Sequence, residues 1–181
     1  ILDYAPEQII EVGSGYSTRI ARRAIDFAKL PTKITVIDPE PRADISQDAH
    51  KIIRAPIESL PKEAFHLTEN TILFIDSSHI CRSRGDVPFL FCEILPNAPK
   101  NLIAHIHDVY IPYEYPAKYY RWLWNEQYLL CCLLSDSIKY EILLTTYLMT
   151  RRHLNYMQKA ISPCVSAGRN SGGCFWIRSL K

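Results

Sequence analysis

A short apolar run closed by a polar residue recurs along this chain, and it restricts the possible folds more than any other feature. Gln8-Ile9-Ile10-Glu11-Val12 runs into Gly13-Ser14-Gly15, and Lys33-Ile34-Thr35-Val36-Ile37 runs into Asp38. Thr71-Ile72-Leu73-Phe74-Ile75 leads to Asp76-Ser77-Ser78-His79, and Asn101-Leu102-Ile103-Ala104-His105-Ile106 leads to His107-Asp108. Such runs suit strands buried on both faces, as parallel sheets require. In an open parallel sheet, the C-terminal strand tips border the ligand crevice. The residues that close the runs are therefore the first candidates for chemistry.

The segments between the runs support this. From Ser17 to Lys29, apolar Ile20, Ala21, Ala24, Ile25 and Ala28 fall near helical spacing, and Leu30-Pro31 closes the helix. His50 to Arg54 reads as a weak third strand and Ile57 to Phe65 as a short helix or turn. Arg84 to Leu95 predicts a helix with Pro88 in its first turn. Tyr119 to Leu134 predicts one long apolar helix, and Tyr140 to Leu144 and Cys174 to Arg178 predict two further strands. The stretch Tyr147 to Gly173 carries no clear pattern. Strands alternating with helices imply an α/β fold, a mostly parallel sheet covered on both faces. No clear crossover helix separates the last two strands, which suggests an antiparallel pair.

Nothing divides the chain: 181 residues, 48% of them hydrophobic, suffice for one domain over 1–181. A net charge of +2 without a basic block disfavours nucleic acid as a partner. No run reaches the roughly 18 apolar residues of a membrane span. Ile1-Leu2-Asp3 has neither a start methionine nor a signal-peptide pattern, so the chain is expected to begin partway through a longer natural sequence. The cysteines form no metal or redox motif, and free thiols in a reducing, cytoplasmic setting are expected. A Cys164–Cys174 bridge stays open at this stage.

The first turn narrows the ligand. Glycines after a strand let a backbone approach a ligand closely. The dinucleotide fingerprint would need a third glycine at position 18, which is Thr18. Glu11 just before the turn suits an ammonium better than a pyrophosphate, and Asp38 at the next tip suits ribose hydroxyls. Together these fit S-adenosylmethionine, which carries a ribose and an amino-acid tail but no phosphate.

Ile10-Glu11-Val12-Gly13-Ser14-Gly15-Tyr16-Ser17-Thr18, Ile37-Asp38-Pro39-Glu40-Pro41-Arg42, Phe74-Ile75-Asp76-Ser77-Ser78-His79 and His105-Ile106-His107-Asp108 together resemble a class I S-adenosylmethionine-dependent methyltransferase. The similarity is greatest to the methyltransferase-24-type group, often found among polysaccharide and natural-product genes. Trp124-Asn125-Glu126-Gln127-Tyr128 and Gly172-Gly173-Cys174-Phe175-Trp176-Ile177-Arg178 also look like that group. The resemblance implies a Rossmann-like sheet of order 3-2-1-4-5-7-6 with the seventh strand antiparallel. It also implies donor contacts from Glu11, Gly13, Ser14, Gly15, Ser17, Asp38 and Asp76.

Methyl transfer to a hydroxyl needs a nucleophilic oxygen in line with the sulfonium methyl. Magnesium can lower the hydroxyl's pKa while a base takes the proton. Asp76 and Asp108 offer the hard oxygen ligands magnesium prefers. His79 has an unperturbed pKa suited to a base. The pairing of Asp76 with a histidine three positions on resembles metal-dependent sugar O-methyltransferases. Those enzymes carry two adjacent acids where this chain has His107-Asp108, so His107 is a candidate third ligand, a substrate-orienting group or a core residue. His105 reads as structural.

Asp76 as a cap and His79 as a structural histidine stay open too. Tyr113 and Tyr115, on the Ile111–Pro116 loop, are candidate substrate contacts. The function expected is an O-methyltransferase acting on a sugar or related metabolite, with self-association left open. The competing readings are an iron site built from His79, His107 and Asp76, and a methyltransferase-fold binding protein without turnover.

Overall fold

The computed structural model of the chain describes residues 1–160 and 172–181. Seven strands form one sheet: β1 Gln8–Val12, β2 Lys33–Ile37, β3 Lys51–Ile53, β4 Thr71–Ile75, β5 Ile103–His107, β6 Tyr140–Thr145 and β7 Cys174–Ser179. Their order is β3-β2-β1-β4-β5-β7-β6, with β7 antiparallel to both neighbours and the other pairs parallel. This is the expected architecture, including the reversed strand at the end.

The register decides where the chemistry sits. Val12 pairs with Ile37 and with Ile75, and Ile75 pairs with Ile106. The next residues, Gly13, Asp38, Asp76 and His107, therefore end their strands in one row at the C-terminal edge. His107 in turn pairs with Cys174 at the start of β7.

Alternate residues of the strands serve two apolar layers. Ile10, Leu73, Ile75, Ala104, Ile106, Phe175 and Ile177 pack with Val87, Leu90, Phe91, Ile94 and Leu130. Ile9, Ile34, Val36, Ile72 and Ile103 pack with Ala21, Ile25 and Ile45 on the other face. Each such side chain, fully buried, contributes about 1.5–3 kcal/mol, so the sheet edge rests on a rigid support.

Helix α1, Tyr16–Ala28, starts directly after the glycine turn. The Gly15 N–H donates to Thr18 Oγ1 at 3.2 Å, and Lys29 ends the helix in the left-handed region at φ 53°. Its buried stripe is Thr18, Ala21 and Ile25, whereas Ile20, expected to face the core, is 66% exposed.

The segment after β4 is less regular than expected. A short turn, α2 Asp86–Pro88, holds the proline early and passes into π-helical turns over Phe89–Ile94, where the Leu95 N–H reaches Leu90 O. Pro96 has no N–H to continue the ladder, and a 3₁₀ turn, Leu95–Asn97, finishes the segment.

The long helix expected from Tyr119 to Leu134 is two pieces. A 3₁₀ stretch, Ala117–Trp122, stops at Leu123 in the left-handed region (φ 56°), and α3 begins afresh at Glu126–Leu134. The break has a clear cause: the Asn125 and Glu126 N–H groups bond the His79 carbonyl instead of a preceding turn. Two short helices, α4 Thr146–Arg152 and α5 Leu154–Ala160, occupy part of the stretch without a clear pattern. Cys164, and with it the Cys164–Cys174 pairing, lies outside the described residues. No described helix is long and apolar enough to cross a membrane.

Candidate active site

The β1 turn is pressed against the tip of β4. Gly13 has φ 86°, and a Cβ there would lie 2.3 Å from the Asp76 carbonyl oxygen, so only glycine fits. The Gly13 N–H donates to Ile37 O at 3.0 Å and the Asp76 N–H to Val12 O at 2.9 Å, which ties three tips together. Ser14 Oγ donates to Asp38 Oδ2 at 2.5 Å, and the Glu40 N–H donates to Asp38 Oδ1 at 2.8 Å.

Glu11 is 2% exposed, and its carboxylate accepts from Ser17 and, at 2.6 Å, from Thr18. Burial pushes its pKa up, opposed in part by these hydroxyls. Glu11 and Ser17 thus brace the glycine turn from within, and Gly13 and Ser14 line the adjoining cavity.

The loop after β4 is clasped at every residue. The Ser78 N–H and Oγ both donate to the Asp86 carboxylate at 2.6 Å. Ser77 Oγ donates to Glu126 Oε2 at 2.8 Å. His79 sits in the left-handed region at φ 61°, a conformation that a non-glycine residue keeps only when its surroundings hold it there. Its carbonyl accepts from the Asn125 N–H at 2.9 Å and the Glu126 N–H at 3.3 Å, and the Cys81 N–H donates to Asn125 Oδ1 at 2.5 Å.

The His79 ring is bound on both nitrogens. Nδ1 bonds the carboxylate of Glu126, which has no exposed surface. Nε2 lies 3.4 Å from Asp76 Oδ1 and 4.0 Å from Asp108 Oδ2. Burial alone would lower the His79 pKa, but the hydrogen bonds with Asp76 and Glu126 outweigh it and raise the pKa to about 10. Asp76, which burial would raise, is instead held below the usual carboxylate range by His79 and the neighbouring histidines. The surroundings of His79 thus favour its protonated form. Asp108 is itself left-handed, at φ 54°.

These groups share one cavity of about 1070 Å³. Gly13, Ser14 and Asp38 line it on one side, and Asp76, Ser77 and His79 on the next. Beyond them His107, Asp108, Trp122 and Trp124 also line it. Trp124 lies 4.4 Å from the His79 ring and stacks on Tyr119 at 4.6 Å.

The tyrosines singled out in the sequence stand elsewhere. Tyr115 is 4% exposed, and its hydroxyl accepts from the Gln127 N–H at 3.2 Å. The Tyr113 hydroxyl accepts from Arg152 Nε at 3.1 Å. The aromatic wall of the cavity is tryptophan instead.

The possible metal ligands separate into two sets. Asp76 and Asp108 meet at the same imidazole nitrogen. His107 turns Nδ1 to His105 Nε2 at 3.3 Å and keeps Nε2 4.0 Å from Asp108 Oδ1. Among the described residues, the trio whose ligand atoms all lie within 4.8 Å of one another is His105, His107 and Cys174. Neither Asp76, Asp108 and His107 nor the iron-type set His79, His107 and Asp76 is drawn together in that way.

No protein-family model and no curated protein matches the chain. Solved structures do match. A structure described as cmcI-D160 with Mg and SAM aligns at TM-score 0.56 and 12% identity, over 99% of this chain and 67% of that one. The SAH-bound methyltransferase PaMTH1 of Podospora anserina aligns at 0.58 and 16%, over 99% and 74%. The plantazolicin methyltransferase BamL, in complex with a triazolic desmethylPZN analog and SAH, aligns at 0.55 and 12%, over 99% and 82%. The chain has the class I methyltransferase fold.

Two residues that help to build the edge of this methyltransferase fold escape sequence reasoning. Glu126 falls in the Trp124–Tyr128 stretch and Asp86 in the expected Arg84–Leu95 helix, neither with a role of its own. A polar residue inside an otherwise apolar segment, as Glu126 is, was the available signal for a buried partner.

Proposed function

We propose that the chain is an S-adenosylmethionine-dependent O-methyltransferase whose acceptor is a hydroxyl of a sugar or related small metabolite. The observation that carries this reading is the meeting of Asp76, Asp108 and His79 in the same cavity as Gly13, Ser14 and Asp38. The donor set fits the methyl donor: Asp38 offers carboxylate oxygens to ribose hydroxyls, and the Gly13–Ser14 turn leaves room for an amino-acid tail beside Asp76. Glu11 and Ser17 support that turn, and Gly15 begins α1 beside open space, with nothing within 4 Å of where its Cβ would be. The CmcI structure recorded with Mg and SAM and the SAH-bound PaMTH1 and BamL structures support the same donor.

Asp76 and Asp108 fit magnesium by chemistry, as two carboxylates on neighbouring strand tips open to the cavity. His107 stands at the edge of this set. When bound there, the cation would lower the pKa of an acceptor hydroxyl and offset the carboxylate field that keeps His79 protonated.

The remaining work falls to the chain. Glu126 holds the His79 ring through Nδ1, so Nε2 is the nitrogen that faces Asp76 and Asp108. The acceptor oxygen forms a bond to the donor's methyl carbon, and the carbon–sulfur bond breaks with its electron pair left on sulfur. The hydroxyl proton passes to His79 Nε2. Trp122 and Trp124 offer flat faces on which a sugar ring can stack.

The test is methyl transfer from labelled S-adenosylmethionine to a panel of sugars and hydroxylated metabolites, with and without magnesium. Magnesium-dependent release of S-adenosylhomocysteine with methyl on oxygen supports the reading. Donor binding without transfer to any acceptor favours a silent binding protein. Succinate formed from iron and 2-oxoglutarate favours the oxygenase.

A further inference from the structure

His105 and His107 are two residues apart on β5 and so share one face. The β5–β7 register sets Cys174 opposite His107. The facing nitrogens, His105 Nε2 and His107 Nδ1, are 3.3 Å apart. Two nitrogens bound to one tetrahedral zinc at 2.0–2.1 Å are separated by roughly that distance. Cys174 is a free thiol, and its sulfur completes a trio within 4.8 Å.

His105 has no other evident task. It is 3% exposed, stacked on Phe74 at 4.0 Å and met edge-on by Trp176 at 4.5 Å. Its Nδ1 is buried without a hydrogen-bond partner. With its proton on Nδ1, His105 would turn the Nε2 lone pair toward His107 Nδ1, where a cation can be shared. Two imidazoles and a thiol form a soft set, suited to zinc and poorly suited to magnesium.

We propose that His105, His107 and Cys174 bind a zinc ion, separate from the oxygen ligands Asp76 and Asp108. His107 belongs to this ion. Cys174 gives up its thiol proton to solvent on ligation. Three protein ligands leave a fourth position, and His107 also lines the cavity. The ion would fasten the start of β7 to the tip of β5 directly beside Asp108.

The experiment is titration of the reduced, chelator-stripped full chain with Co2+, which reports thiolate ligation by a near-ultraviolet sulfur-to-cobalt charge-transfer band. One equivalent should develop the band, Zn2+ should remove it, and excess Mg2+ should leave it. Cys174→Ser should abolish it and Cys131→Ser should keep it. His107→Ala should weaken binding by at least about tenfold, the loss that removing even an outer hydrogen-bond partner of a ligand brings. Circular dichroism and S-adenosylhomocysteine calorimetry on Cys174→Ser should show the fold and donor site retained, so failure here is distinguishable from failure of the methyltransferase reading. No band in the wild type, a band that survives Cys174→Ser, or displacement by Mg2+ at equal concentration overturns the proposal.

Discussion

His79 and Glu126, 47 positions apart, are joined through His79 Nδ1, and the Glu126 carboxylate has no exposed surface. The same two residues are also joined through the backbone, the Glu126 N–H donating to the His79 carbonyl at 3.3 Å. This double attachment fixes the ring's position and the start of α3 together. For the proposed role of His79 as base, such immobility would keep Nε2 in place.

His79→Ala should therefore lower turnover by about 10²–10⁴-fold, the usual contribution of a positioned base, while S-adenosylhomocysteine affinity stays within about twofold. Parallel kinetics and calorimetry check this. An equal loss of donor affinity would place His79 in the donor pocket or the core.

Glu126→Gln keeps the shape but removes the charge that orients the ring. Turnover should fall with donor affinity retained, and Glu126→Ala should in addition lower thermal stability, because Ser77 and His79 lose a buried partner. Unchanged turnover in Glu126→Gln would contradict the orienting role.

Gly13→Ala forces a Cβ to 2.3 Å from the Asp76 carbonyl oxygen at φ 86°. A cost of at least about 1–3 kcal/mol is expected, with donor binding lost as the β1 and β4 tips separate. Urea unfolding and calorimetry report the two effects.

Glu11 supplies a pH signature. Burial raises its folded-state pKa above the ordinary 4.5, so the folded state holds its proton longer than the unfolded one. That stability is present in full below pH 4.5 and is lost as pH rises through the raised folded-state pKa. Unfolding free energies of the wild type and Glu11→Gln, compared over this window, should diverge in that sense and then run parallel at higher pH.

The sheet was readable because parallel strands buried on both faces are continuous apolar runs, and each ends abruptly on Gly13, Asp38, Asp76 or His107. The register that aligns those ends follows from packing the runs side by side. Interactions between distant segments were not readable. The pairing of Glu126 with His79, and of Asp86 with Ser78, leaves no local periodicity.

The placing of the aromatic residues was unreadable for a related reason. Tyr115 and Trp124 look alike in composition, but Trp124 lines the cavity while Tyr115 is buried with its hydroxyl at the Gln127 N–H. His105 read as structural because its strand position is deep; its unpartnered nitrogen and its nearness to Cys174 exist only once β7 is laid against β5.

A crystal soaked with S-adenosylhomocysteine and magnesium tests the central claim most directly. The account predicts ribose hydroxyls on Asp38, the amino-acid tail along Gly13 and Ser14, the sulfur turned toward His79, and a cation held by Asp76 and Asp108. A ligand bound away from the Gly13 turn, or a cavity that stays empty at saturating ligand, would contradict it.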